Sequence, residues 1–166
     1  MAKDAADGGS NRSYEITSCA PGTLSAQELS ACLEIIGQGG AVNLASAAVE
    51  LPLAAVVAVA RLGEEIVAVG AIKRVRREYA SDKASRSGTV FSPETQELGY
   101  VAVVEKHRGE HLSSRIVAEL MSKDVGQLFA TTDSERMKKT LKGAGFVQKG
   151  HEWIGSRGKL SLWLHK

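Results

Sequence analysis

Cysteine is scarce in this chain of 166 residues: there are two, Cys19 and Cys32. They are not spaced as a metal knuckle, and nothing in their placement demands a disulfide. Two lone thiols fit a reduced, cytoplasmic setting. Long hydrophobic runs are missing too. The longest, Leu51 to Ala60, falls well short of the about 20 residues that a membrane-crossing helix takes. The beginning of the chain has no apolar stretch followed by a small-residue cleavage site, so no secretory signal is expected. Charge of one sign is not in excess: 21 Lys and Arg stand against 19 Asp and Glu, a net +2. That balance gives no reason to expect nucleic acid or an anionic membrane as an obligatory partner.

The chain does have an ordinary globular composition, 43% hydrophobic and 24% charged, and a length that supports one domain with its own core. Residues 1–12 are small and polar, with Gly8-Gly9-Ser10 among them. They read as a disordered leader to a single domain over 13–166.

Hydrophobic periodicity divides that domain. Tyr14 to Ser18 is a weakly alternating first strand. Ser25 and Glu28 have capping-box spacing ahead of Leu29, Cys32, Leu33 and Ile36, which repeat as on a helix. Gly37 ends it, and a second helix is predicted over Val42 to Leu51. Ala55 to Leu62 and Ile66 to Ile72, separated by Gly63, read as a hairpin buried on both faces. Residues 73–92 are polar without clear period, which predicts a binding loop or lid, with a short strand at Thr89-Val90-Phe91. Gln96 to Val104 is a strand and 108–122 a helix with Leu112, Ile116, Val117 and Leu120 on one face. Gln127 to Thr131 is a strand. Asp133 or Ser134 can cap a helix to about Lys142, broken by Gly143 and Gly145. Leu160, Leu162 and Leu164 mark a last strand, and a further short one is allowed near Trp153. The order is β-α-α-β-β-β-α-β-α-β, an α/β arrangement with a mixed sheet and helices on both faces.

From Glu97 to Arg115 the chain reads Glu-Leu-Gly-Tyr-Val-Ala-Val-Val-Glu-Lys-His-Arg-Gly-Glu-His-Leu-Ser-Ser-Arg. This resembles the acyl-CoA-binding segment of the GNAT superfamily of N-acetyltransferases: a strand, a short Arg-Gly turn and a helix. The usual turn is Arg/Gln-x-x-Gly-x-Gly/Ala. Arg108 begins it here, and His111 and Ser113 stand at the two small-residue positions. Leu128 to Thr132, Asp133 to Met137 and Gly145-Phe146 resemble the family's next strand, helix and closing Gly-Phe. Ser134 stands where the family often has Asn, and Leu141 where it often has a Tyr used as an acid.

The resemblance implies a GNAT-like fold and transfer of an acetyl or short acyl group from acetyl-CoA to an amine, by direct attack in a ternary complex. It implies that the turn and helix start, Arg108, Gly109, Glu110, His111, Leu112, Ser113 and Ser114, hold the pyrophosphate, with Ser134 beside the coenzyme. Free N–H groups and partial positive charge at a helix N-terminus suit a pyrophosphate on physical grounds as well. Arg108 adds charge-assisted donors, and Gly109 lets the backbone come close. Val101 and Val103 would offer main-chain groups to the pantetheine arm, the N–H of Val103 also steadying the oxyanion. Glu97 would be the general base, because an ammonium cannot attack a thioester. The same resemblance allows a homodimer. The alternative is a catalytically weak or inactive module of the same fold that binds acyl-CoA or a protein partner.

Other features have plainer readings. With Leu141 in place, no acid is assigned, although Tyr79 and Tyr100 are candidates. His107 and His111 lack a third ligand, so no metal is expected. The basic run Lys73-Arg74-Val75-Arg76-Arg77 reads as a solvated loop. Aromatic residues are only 5% of the chain and none interleaves that run, so it is no stacking platform for single-stranded nucleic acid. Trp153 and Trp163 read as packing residues, with Trp153 also able to line an acceptor site.

Overall fold

A computed structural model describes residues 13–40 and 43–165. The expected leader, 1–12, and the expected start of the second helix at Val42 lie outside the described residues. The strands are β1 (Tyr14–Cys19), β2 (Val56–Leu62), β3 (Glu65–Lys73), β4 (Gln96–Val103), β5 (Leu128–Thr132), β6 (Val147–Ile154) and β7 (Lys159–His165). The helices are α1 (Ala26–Gln38), α2 (Leu44–Glu50), α3 (Arg77–Ser87), α4 (Leu112–Met121) and α5 (Glu135–Gly143). The seven strands form one sheet in the order β1-β2-β3-β4-β5-β7-β6. Every neighbouring pair is antiparallel except β4 and β5.

Local chemistry explains most boundaries. Ser25 and Glu28 form the reciprocal capping box that starts α1. Asn43 caps α2 and Ser134 caps α5 through their side-chain oxygens. The β2–β3 hairpin is sealed on both sides because helices lie on both faces of the sheet. On one face Cys32, Ile35, Ile36 and Leu51 pack on Val57, Val59 and Val69. On the other, Leu112, Ile116, Val117 and Leu120 of α4 pack on Ala58, Ala60, Ala68 and Leu98. Gly70 makes that second contact close. A Cβ there would lie 2.5 Å from Cγ2 of Ile116.

The structure corrects the sequence reading in three places. The polar stretch 73–92 is not without structure: residues 77–87 form α3, ended by Gly88 in the left-handed conformation. Its inward face carries Ala80, which joins Phe129 and Leu162 in a small apolar cluster. The inward face shows no apolar period because it is made of Ala80, the buried Ser87 and Tyr79, whose ring lies 6.4 Å from that of Phe129. The segment 89–91 forms no strand. Residues 108–111 are not helical: Gly109 and His111 take positive φ (89° and 59°), so α4 begins only at Leu112. The strand near Trp153 is the full eight-residue β6, bulged between Lys149 and Trp153 where it pairs with β7. At that bulge Gly150 passes so close to α3 that a Cβ would lie 2.0 Å from the Ser87 carbonyl oxygen.

Candidate active site

Strand β4 is treated differently by its two neighbours. Against β3 it pairs along its length, from Lys73↔Glu97 to Ala68↔Val103, with one extra residue inserted so that Tyr100 and Val101 stand opposite Gly70. This β-bulge puts Tyr100 at φ 58°, a left-handed conformation that costs a non-glycine residue on the order of 1–3 kcal/mol. Against β5 it pairs only at Gln96↔Leu128 and Glu97↔Phe129. Beyond Glu97 the two strands part. The Val104 N–H donates to Val67 on the β3 side. By the alternation of strand backbone, the N–H and C=O of Val103 face the opposite way, into the gap, and those of Val101 follow one repeat back.

The gap opens into a cleft of about 1120 Å³, larger than pockets that hold drug-sized ligands. One wall is the start of α4. No side chain caps that helix, so its first N–H groups have the open donor capacity of any helix N-terminus. Of the residues singled out from sequence, Glu97, Val101, Val103, Arg108, Gly109, His111, Leu112, Ser113, Ser114 and Ser134 all line this cleft, and Glu110 does not. Arg108 is exposed at the mouth. His111 occupies the N-cap in the left-handed conformation usually taken by glycine, a conformation in which His is enriched among non-glycine residues. Ser134 spends its hydroxyl on the N–H of Met137, 3.2 Å away. Leu141 is wholly buried.

His107 lies in a short turn of 3₁₀ helix (Glu105–His107) and is buried, its Nδ1 2.9 Å from the Tyr14 hydroxyl. It does not share a helical face with His111. Among the described residues no three His, Cys, Asp or Glu side chains converge as metal ligands, and no helix is long and apolar enough to cross a membrane. Trp163 is buried, its indole N–H donating to Ser161. Trp153 packs beside Phe129 and Leu162 rather than in the cleft.

At the other end of the cleft, side chains that the sequence reading left apart come together. Glu97 is only 4% exposed. Lys73, its cross-strand partner, places Nζ 2.9 Å from Glu97 Oε1, as an ion pair off the hydrogen-bond direction. The Tyr79 hydroxyl donates to Oε2 at 3.3 Å. The Lys73 ammonium also lies 4.3 Å from the centre of the Tyr100 ring, and the Tyr100 hydroxyl donates to Glu50 Oε2 at 2.8 Å. Gly99 makes room for this: a Cβ there would meet Lys73 Cδ at 2.9 Å. Burial, helped by the neighbouring Glu97, raises the Tyr79 phenol far above the ordinary tyrosine range. Burial and the bond to Glu50 raise Tyr100 likewise. Both phenols therefore stay protonated.

By sequence, Lys73 opens a basic run that reads as a solvated loop. The structure divides that run: Lys73 ends β3 with its side chain 14% exposed, while Arg77 starts α3 and pairs with Glu94 on the surface. The only signal for Lys73 was its position directly after a strong strand, and its partner could be named only once the β3–β4 register was known.

A parallel pair that splays beside an uncapped helix start, in a mixed seven-stranded sheet, is a distinctive arrangement. Solved structures share the overall fold along nearly the whole chain. An acetyltransferase of the GNAT family from Streptococcus agalactiae 2603 superimposes with a TM-score of 0.68 at 11% identity, covering 93% of this chain and 97% of that one. This chain has the GNAT fold. An acyl-CoA N-acyltransferase from Pseudomonas aeruginosa (TM-score 0.64, 12% identity, 93% and 100% covered) is similar in the same way. So is the diaminobutyrate acetyltransferase EctA from Paenibacillus lautus, solved with L-2,4-diaminobutyric acid and coenzyme A (TM-score 0.62, 15% identity, 92% and 95% covered). No protein-family model and no curated relative matches the sequence.

Proposed function

We propose that this GNAT-fold chain is an acyl-CoA-dependent acyltransferase that moves an acetyl or short acyl group to an amine. The observation that carries the reading is the splayed β4–β5 gap leading to the uncapped start of α4, with Arg108 at its mouth. Acetyl-CoA is a co-substrate here, and the cleft fits it: a long groove with backbone donors at one end and ionisable side chains at the other. Its pyrophosphate would accept from the N–H groups around Gly109 to Ser114, with Arg108 supplying charge. Ser134, as the cap of α5, would border the coenzyme through its backbone. The pantetheine would pair with Val101 and Val103 as an extra strand does, and the N–H of Val103 would hold the oxyanion.

Glu97 is the base in this reading. It is buried, it lines the cleft, and it begins the part of β4 that leaves β5. It would take a proton from the acceptor ammonium, whose free electron pair then attacks the thioester in a ternary complex. No acid replaces the family's tyrosine at Leu141. Tyr79 remains protonated but is hydrogen-bonded to Glu97, on the base rather than on a leaving group.

A second reading, a coenzyme-binding module without turnover, draws on two observations: Glu97 is already paired with Lys73, and Leu141 has no proton to give. Two measurements separate the readings. Calorimetric titration with acetyl-CoA, beside CoA alone, should show micromolar binding. Release of free thiol in a panel of amines should then exceed the amine-free rate. Binding without acceptor-dependent thiol release would favour the module, and no binding at millimolar coenzyme would sink both.

A further inference from the structure

We propose that Lys73 is itself an acyl acceptor, so that the protein acylates its own β3 lysine. This rests on the acyl-CoA reading of the cleft. The site an acceptor ammonium needs is a carboxylate base with room for a cation, inside the cleft. In this chain that site is built and filled from within. Lys73 Nζ sits 2.9 Å from Glu97 Oε1, over the Tyr100 ring at 4.3 Å and facing the Tyr79 ring at 5.6 Å. Carboxylate and aromatic faces together are the usual surroundings of a bound ammonium. An outside amine would have to displace a tethered one.

The lysine stem lies over Gly99, on the strand that continues to Val101 and Val103. Lys73 and Val101 line the same cleft. Tethering beside the base also removes the entropy cost of bringing two reactants together.

The step balances as follows. Glu97 takes one proton from the Lys73 ammonium, and the freed electron pair attacks the thioester carbonyl. A C–N bond forms and the C–S bond breaks. The second nitrogen proton goes to the departing sulfur, giving coenzyme A thiol. Glu97 then returns its proton to water. The product is an amide on Lys73, with no charge left to pair with Glu97.

The test is incubation of the full chain with acetyl-CoA and no other amine, followed by intact-mass and peptide mapping, with calorimetric binding measured in parallel. One acetyl group should appear on the Lys73 peptide, about tenfold or more ahead of exposed lysines such as Lys106 and Lys142. Arg108→Ala should slow labelling at Lys73 and leave those exposed sites unchanged. Lys73→Arg should bind acetyl-CoA without gaining the mass. The mapping on the unaltered chain stands even if a variant fails to fold. Binding with Lys73 left unmodified would overturn the proposal and spare the acyltransferase reading. Labelling of all lysines at similar rates, indifferent to Arg108→Ala, would reveal spontaneous chemistry and overturn it as well. Absence of binding would remove the reading and this inference together.

Discussion

At the α4 end of the cleft the working groups are main-chain atoms: the N–H groups of a helix start and of a strand that has lost its neighbour. At the β3 end they are side chains: Lys73, Glu97, Tyr79, Tyr100 and Glu50, held within hydrogen-bond or ring distance of one another. The first end depends on backbone conformation, with His111 left-handed at the N-cap of α4 and Ser113 in its first turn. The second depends on the identity of each group, because exchanging one buried charge for a neutral group strands its partner. Substitutions should therefore divide cleanly between binding and chemistry.

The largest effect should come from Glu97→Gln. If Glu97 is the base, acceptor-dependent thiol release falls roughly 10²-fold to 10⁴-fold, while acetyl-CoA affinity measured by calorimetry stays the same. A loss in affinity of the same size would break the division between the ends. Next comes Gly70→Ala, which sets a methyl group against Ile116 and pushes α4 from the sheet. Overpacking of this kind costs about 1–3 kcal/mol, read as a lower denaturant midpoint, and coenzyme binding should weaken with it because α4 carries the donors. Arg108→Ala should leave stability unchanged and weaken acetyl-CoA binding about tenfold, the scale of one charge-assisted hydrogen bond.

The smallest effect concerns alkaline pH. Tyr79 and Tyr100 keep their protons in the folded chain to higher pH than free phenols do. Above about pH 10 the unfolded chain releases protons that the folded chain retains. The unfolded state then binds fewer protons, so stability falls as pH rises through that range. Denaturant titrations between neutral and alkaline pH should show the decline, and Tyr79→Phe should flatten it. An unchanged slope would mean that the fold does not hold the Tyr79 phenol protonated through burial and the neighbouring Glu97.

Elements with strong local signals were legible without the structure. The Ser25–Glu28 box and the four apolar residues after it describe α1, which runs through the expected stop at Gly37 to Gln38, and the apolar hairpin before Lys73 became β2 and β3. The Arg108-Gly109 turn, read by resemblance, did lead into a helix start on the cleft. Elements that bury little were not legible. Helix α3 faces the core with Ala80, Ser87 and Tyr79, which make no apolar period, and β6 is exposed along most of its length, so no alternation gives it away. The acid-base cluster was half legible: Glu97 stood out at the head of a strand, but Lys73 looked like the first residue of a basic loop.

The sequence by itself determined where α1, α5 and the β2–β3 hairpin lie, through caps, glycines and apolar spacing, because these act over a few neighbouring residues. Only the tertiary structure decided that β4 and β5 part after two pairs, that a bulge forces Tyr100 into a left-handed turn, and that Lys73 faces Glu97. Each of these depends on the register between strands distant in sequence. A shift of one residue would turn the same side chains to the opposite face of the sheet.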